Sequence, residues 1–147
     1  MIEPSIDRLK FLCKTIPQIL TTIDTEEFSK RVKQDKWSKK EIIGHLIDSA
    51  TNNHHRFVRG QFEINPTVIY NQNNWNTHNH YDKIAIKQII SFWTIYNKQI
   101  LELIINIPKE KLKNTIDVGN EVDLTIEFLF IDYVSHLEHH LRQVIDY

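Results

Sequence analysis

Apolar residues recur along this chain at three- and four-residue steps instead of alternating, the pattern of helices that bury one face. The first such stretch carries Ile6, Leu9, Leu12, Ile16, Ile19, Leu20 and Ile23. Pro17 lies inside it and is expected to kink or interrupt the helix, because proline lacks an N–H and its ring strikes the preceding turn. A second stretch opens at Trp37-Ser38-Lys39-Lys40-Glu41-Ile42. There Ser38 and Glu41 have capping-box spacing, and Trp37 and Ile42 stand where a hydrophobic staple packs. Its inner stripe reads Ile42, His45, Leu46, Ser49, Asn53 and Phe57, fading near Gly60.

The third stretch is the longest, with Ile86, Ile89, Ile90, Trp93, Tyr96, Ile100, Leu103 and Ile104 on one face ahead of Pro108. A fourth helix is predicted from Thr125, a suitable N-cap, to about Ile145. Its stripe is Leu129, Tyr133, His136, Leu137, His140, Leu141 and Val144. Residues 62–81 are Asn-rich and long for a connection, as functional loops often are. Residues 109–124 form a second loop holding the turn Val118-Gly119-Asn120. No strand or internal repeat is predicted. The expected architecture is an all-α four-helix bundle over a single domain, residues 1–147, running up-down-up-down with a crossover-like loop between the second and third helices.

Composition narrows the function. Hydrophobic residues make up 41% and charged residues 25%, with a net charge of -1; no global basic field favours nucleic acid or an anionic membrane. No apolar run approaches the roughly 18 residues of a membrane span. The opening MIEPSIDRLK does not read as a secretory signal, so the cytoplasm is the expected location. Cys13 is the only cysteine, which excludes an internal disulfide and Cys-based zinc or iron–sulfur sites. Its apolar helical neighbours make it a core residue, not a nucleophile.

Histidine is the unusual residue. Three of the eight fall within SHLEHHLRQV, residues 135–144. His136 and His140, four apart, project from one helix face, while His139 lies to the flank. His45 occupies the inner stripe of the second helix. Three buried imidazoles would repel one another if protonated; kept neutral, they offer three lone pairs that a divalent cation can gather. Three protein ligands leave a coordination position open, as in catalytic sites. The bland alternative is hydrogen-bonded core, since the sequence cannot establish that the rings meet. His54, His55, His78 and His80 are read as solvent or loop residues. A zincin motif, a Glu-x-x-His di-iron element, a Gly-rich phosphate loop and a Gly-x-Ser-x-Gly elbow are all absent.

Trp37-Ser38-Lys39-Lys40-Glu41-Ile42-Ile43-Gly44-His45-Leu46-Ile47-Asp48 resembles the W-S-x-x-E-x-x-x-H-L-x-D signature of the DinB/YfiT-like metalloenzyme superfamily. His136 to Val144 is similar to its closing H-x-x-H-H-x-x-Q-I. Tyr70 to Trp75 resembles a Y-D-x-x-x-W stretch, with Asn71 where the acid usually stands. The resemblance spans nearly the whole chain. It implies a four-helix bundle, often homodimeric, with a divalent metal held by His45, His136 and His140. It also implies a small-molecule substrate, which in some relatives is joined to a low-molecular-weight thiol such as bacillithiol or mycothiol.

On this reading Asp48, one turn after His45, serves as base or as acceptor behind the ligand. Asp132, one turn before His136, could orient that ring; surface solvation is the alternative for both acids. Gln143 either bonds within the bundle or caps its packing, and Trp75 with the Asn-rich loop either covers the site or packs locally. The metal is Zn²⁺, Ni²⁺, Fe²⁺ or Mn²⁺, all of which accept imidazole. Three functions stay open: a metal-dependent S-transferase or hydrolase, a non-catalytic metal or small-ligand binder tied to stress, and a purely structural bundle.

Overall fold

A computed structural model describes residues 1–147. Four long helices form the bundle: α1 (Glu3–Leu20), α3 (Lys39–Arg59), α5 (Ile86–Asn106) and α6 (Ile126–Val144). Two short helices join them, α2 (Thr25–Ser29) after the first and α4 (Gln72–His78) within the Asn-rich connection. A single hydrophobic cluster draws Leu9, Leu12, Ile43, Leu46, Trp93, Ile100, Phe130 and Leu137 from all four long helices. The expected all-α bundle is therefore what the chain forms.

The path through it does not alternate. Arg8 bonds Glu138, and the N-terminal amine pairs with Glu127, so α1 and α6 run parallel. His45 meets His136 while Phe57 meets Phe130, which makes α3 and α6 antiparallel. Lys40 reaches Asp82 and His54 reaches Tyr96, so α3 and α5 run the same way. The course is up-down-down-up, with α3 and α5 as parallel neighbours. Connection length is the reason. The 26 residues from Gly60 to Ala85 easily span a 21-residue helix, about 31 Å, so the chain returns to its starting end before α5 begins.

Other boundaries also moved. Pro17 does not end α1, which continues to Leu20, three residues short of Ile23. A proline in the last turn forfeits only one ladder bond, and the helix stops before a second turn must form without it. The stretch 62–81, expected as loop, contains α4, capped by Asn71 Oδ1 on the Asn74 N–H at 2.9 Å. Asn and Asp cap helices equally well, so Asn71 does the local job of the usual acid. A two-residue antiparallel pair, β1 (Thr115–Ile116) with β2 (Leu124–Thr125), closes the 109–124 loop. Strands this short leave no periodicity to read. Gly119 lies in the turn expected there, and its φ of 85° puts it in the left-handed region.

Candidate metal centre

The site is built where α3 begins and α6 ends. The Ser38 hydroxyl accepts from the Glu41 N–H at 3.1 Å, and the Glu41 carboxylate accepts from the Ser38 N–H at 3.0 Å. Arg31 clamps the same carboxylate at 2.9 and 2.6 Å. Burial pushes the Glu41 carboxyl up, but these bonds hold it below the usual range. The capping box thus fixes the first turn of α3, and His45 lies one turn further on. It is fully buried, with the Trp37 ring 4.8 Å away across its face. Trp37, read from sequence as a staple, also walls the site.

His136 and His140 come in from α6. His45 Nε2 and His136 Nε2 are 3.2 Å apart, and His140 lies 4.7 and 4.6 Å from the other two ring centres. One ligating nitrogen from each ring lies within 4.8 Å of the others. Two nitrogens bound tetrahedrally at 2.0–2.1 Å from one ion would be about 3.4 Å apart, so the His45–His136 spacing already suits one. His139 is exposed on the flank, as expected. Burial, then the neighbouring imidazoles, depresses His45 to a pKa of about 3. The same order of causes takes His136 to about 4, and His140 is lowered chiefly by burial. The rings are therefore neutral near pH 7, the state that donates a lone pair.

The flanking residues divide. Gln143 Oε1 lies 3.0 Å from His140 Nδ1. With the carboxamide oxygen facing the ring, as here, it accepts from Nδ1–H, the tautomer that keeps the lone pair on Nε2. Asp48, one turn after His45, is buried, and its Oδ1 accepts from the Tyr81 hydroxyl at 2.5 Å and from Asn79 Nδ2 at 2.8 Å. Burial raises it to about 6 against the pull of those two donors. Asp132 is exposed and makes no hydrogen bond to His136; its charge acts on Arg56 instead. Spacing of one helical turn did not by itself bring this carboxylate into hydrogen-bond contact with the ring, and it stays in solvent.

Tyr81 and Asn79 were not foreseen. Their trace in the sequence is Gly44, a glycine inside a helix where alanine is better by about 1 kcal/mol. A Cβ there would lie 2.3 Å from the Tyr81 ring; the bare backbone lets that ring settle on α3 and reach Asp48. The Asn-rich connection borders the site through α4. Gln72 and Asn73, with Trp37, Ile42, His140 and Gln143, line a cleft of about 450 Å³. Asn76 donates to the Glu41 carbonyl at 2.8 Å and holds α4 against α3. Trp75 packs on Tyr70 and does not line the cleft. His54 is half-buried and bonds Tyr96 at 3.0 Å, tying α3 to α5, while His55, His78 and His80 are exposed. Cys13 is buried in the core, which pushes its thiol to about 11.

A helical bundle with three histidines gathered at one end is the class of protein these features define. The sequence profile of the DinB superfamily matches residues 9–144, and the chain belongs to that superfamily. A relative from Halalkalibacterium halodurans, named "Putative metal-dependent hydrolase", is 22% identical over 97% of this chain and 84% of its own. One of the same name from Oceanobacillus iheyensis is 21% identical over 97% and 83%. Among solved structures, YfiT from Bacillus subtilis, described as a probable metal-dependent hydrolase with an unusual four-helix bundle topology, superposes with a TM-score of 0.86. It is 17% identical, over 97% of this chain and 82% of that one. A mycothiol-dependent maleylpyruvate isomerase gives a TM-score of 0.78 at 8% identity, over 96% and 60%. These likenesses establish the fold. No helix is long and apolar enough to cross a membrane.

Proposed function

We propose that His45, His136 and His140 hold one divalent cation, and that the protein is a metal-dependent enzyme acting on a small molecule seated in the cleft beside His140. The observation that carries this reading is the meeting of three neutral imidazoles from two helices, with ligating nitrogens within 4.8 Å. Their donor set suits Zn²⁺, Ni²⁺, Fe²⁺ or Mn²⁺ alike. When bound, such an ion supplies Lewis-acid charge that lowers the pKa of a water or thiol brought to it.

The chain's own residues then have distinct parts. Trp37 excludes water from the His45 side. Gln143 fixes the His140 tautomer. Gln72 and Asn73 present carboxamides to whatever enters the cleft. Asp48 is not among the cleft's lining residues, so we assign it behind His45 in place of a base facing substrate. Two reactions fit this arrangement, hydrolysis and transfer of a low-molecular-weight thiol to an electrophile. The names of the sequence relatives favour the first, and the mycothiol dependence of the isomerase keeps the second.

Two experiments test the reading. Wild type and His136→Ala, reconstituted anaerobically with each metal in turn, are compared by elemental analysis. One equivalent in the wild type and almost none in the variant is expected, and equal content in both refutes the assignment. The loaded wild type is then screened for ester and amide hydrolysis and for thiol addition to electrophiles. Full occupancy without turnover leaves a metal-binding protein in place of an enzyme.

A further inference from the structure

Two buried polar atoms on α3 have no partner in the protein: His45 Nδ1 and Asp48 Oδ2. They belong to side chains one helical turn apart, exposed by only 0% and 1%. A buried polar atom without a partner is costly, so the pair calls for a common explanation. At 100° per residue, Asp48 sits roughly 40° around the helix from Gly44 and roughly 60° from His45 on the other side. The Tyr81 ring rests over Gly44 and, with Asn79, takes Oδ1. Oδ2 is thereby left for the His45 side.

We propose that Asp48 is a positioning residue that keeps the proton of His45 on Nδ1, through one bridging water, and so aims the Nε2 lone pair into the triad. A carboxylate oxygen only accepts, so the water donates to Oδ2; toward His45 it either accepts from Nδ1–H or donates its second hydrogen to a bare Nδ1. The negative carboxylate favours the first, which points the N–H dipole of the ring toward it instead of the lone pair. Nε2 of His45 is then an acceptor, and His136 must donate its Nε2–H across the 3.2 Å between them. His140 is held in the Nδ1–H form by the Gln143 oxygen that accepts from it. Two of the three rings therefore present Nε2 lone pairs in the metal-free protein, and His136 alone must relocate its proton when a cation arrives. Tyr81 and Asn79 serve by holding the carboxylate in register, which gives Gly44 a functional reason as well as a packing one.

The consequence for affinity rests on the metal reading above; the tautomers themselves do not. Long-range proton–nitrogen spectra of the metal-free protein, labelled with ¹⁵N at histidine, report each ring's tautomer. The expected result is Nδ1–H for His45 and His140 and Nε2–H for His136. Asp48→Asn keeps its one oxygen with the two donors, Tyr81 and Asn79, and so turns its NH₂ toward His45. In that variant His45 should leave the Nδ1–H form, and the Zn²⁺ dissociation constant should rise about 10- to 100-fold. His45 found as Nε2–H in the wild type, or a tautomer unchanged by Asp48→Asn, overturns the proposal. The wild-type spectrum needs no variant, so a folding failure of Asp48→Asn does not remove the test. A wild type that binds no metal but shows the expected tautomers refutes the metal reading and leaves this one standing.

Discussion

Gly44→Ala sets helix propensity against tertiary packing at a single atom. By propensity alone the change stabilises α3 by about 1 kcal/mol. The new Cβ, however, would lie 2.3, 2.4 and 2.7 Å from three carbons of the Tyr81 ring, where ordinary carbon contacts are about 3.5–4.0 Å. The α3 backbone is fixed by its ladder, so the ring must retreat by more than 1 Å. Its hydroxyl then leaves Asp48, and a hydrogen bond to a charged group is worth about 1.5–3 kcal/mol. Part of the ring's burial, worth up to about 3 kcal/mol, goes with it. The net expectation is destabilisation by about 2–4 kcal/mol in urea unfolding. With Tyr81→Ala as background there is nothing to strike, and Gly44→Ala should become neutral or stabilising by about 1 kcal/mol. A coupling near 3 kcal/mol in this double-mutant cycle is the predicted signature. Stabilisation in the wild-type background, or an equal cost in both, would refute the argument.

Three further outcomes are expected. A saturating divalent metal, at about 100 times its dissociation constant, should stabilise the fold by about 2.7 kcal/mol, raising Tm by about 8 °C for a chain of this size; differential scanning calorimetry should show no shift for His136→Ala. His45 and His136 are held below their unfolded pKa of about 6.5, so the unfolded state binds more protons and metal-free stability should fall as pH drops from 6.5 toward the folded values of about 3 and 4. Urea midpoints at pH 7 and 5 check the sign, and a flat profile counts against neutral buried rings. Asp48 acts oppositely, because its folded pKa is raised from 3.8 to about 6: its contribution is fully present below 3.8 and is lost as pH rises through 6. Asp48→Asn should therefore gain on the wild type by up to about 3 kcal/mol between pH 4 and 8, and a constant difference would rule that out.

Local rules were enough for the parts of this protein that depend on near neighbours. Ser38 and Glu41 announce a capping box because both bonds close within four residues, and the inner-face positions of His45, His136 and His140 follow from helical period alone. Asn71 could have been read as a cap had the 72–78 segment been long enough to show periodicity. Tertiary structure decided the rest. That the three rings meet depends on α3 running antiparallel to α6 with its first turns beside the last turns of α6. Helix direction is set by the reach of the long connection and by which faces the core accepts, neither of which a period of 3.6 encodes. Asp132 and Asp48 make the same point, since both stand one turn from a candidate ligand. Only Asp48 is buried, because Tyr81, 33 residues away, packs on the bare backbone of Gly44 and supplies a hydroxyl. The sequence by itself determined which long helices form and which of their faces carry imidazole. The fold alone brought those faces together in a place dry enough to keep the imidazoles uncharged, because desolvation is a property of the assembled bundle.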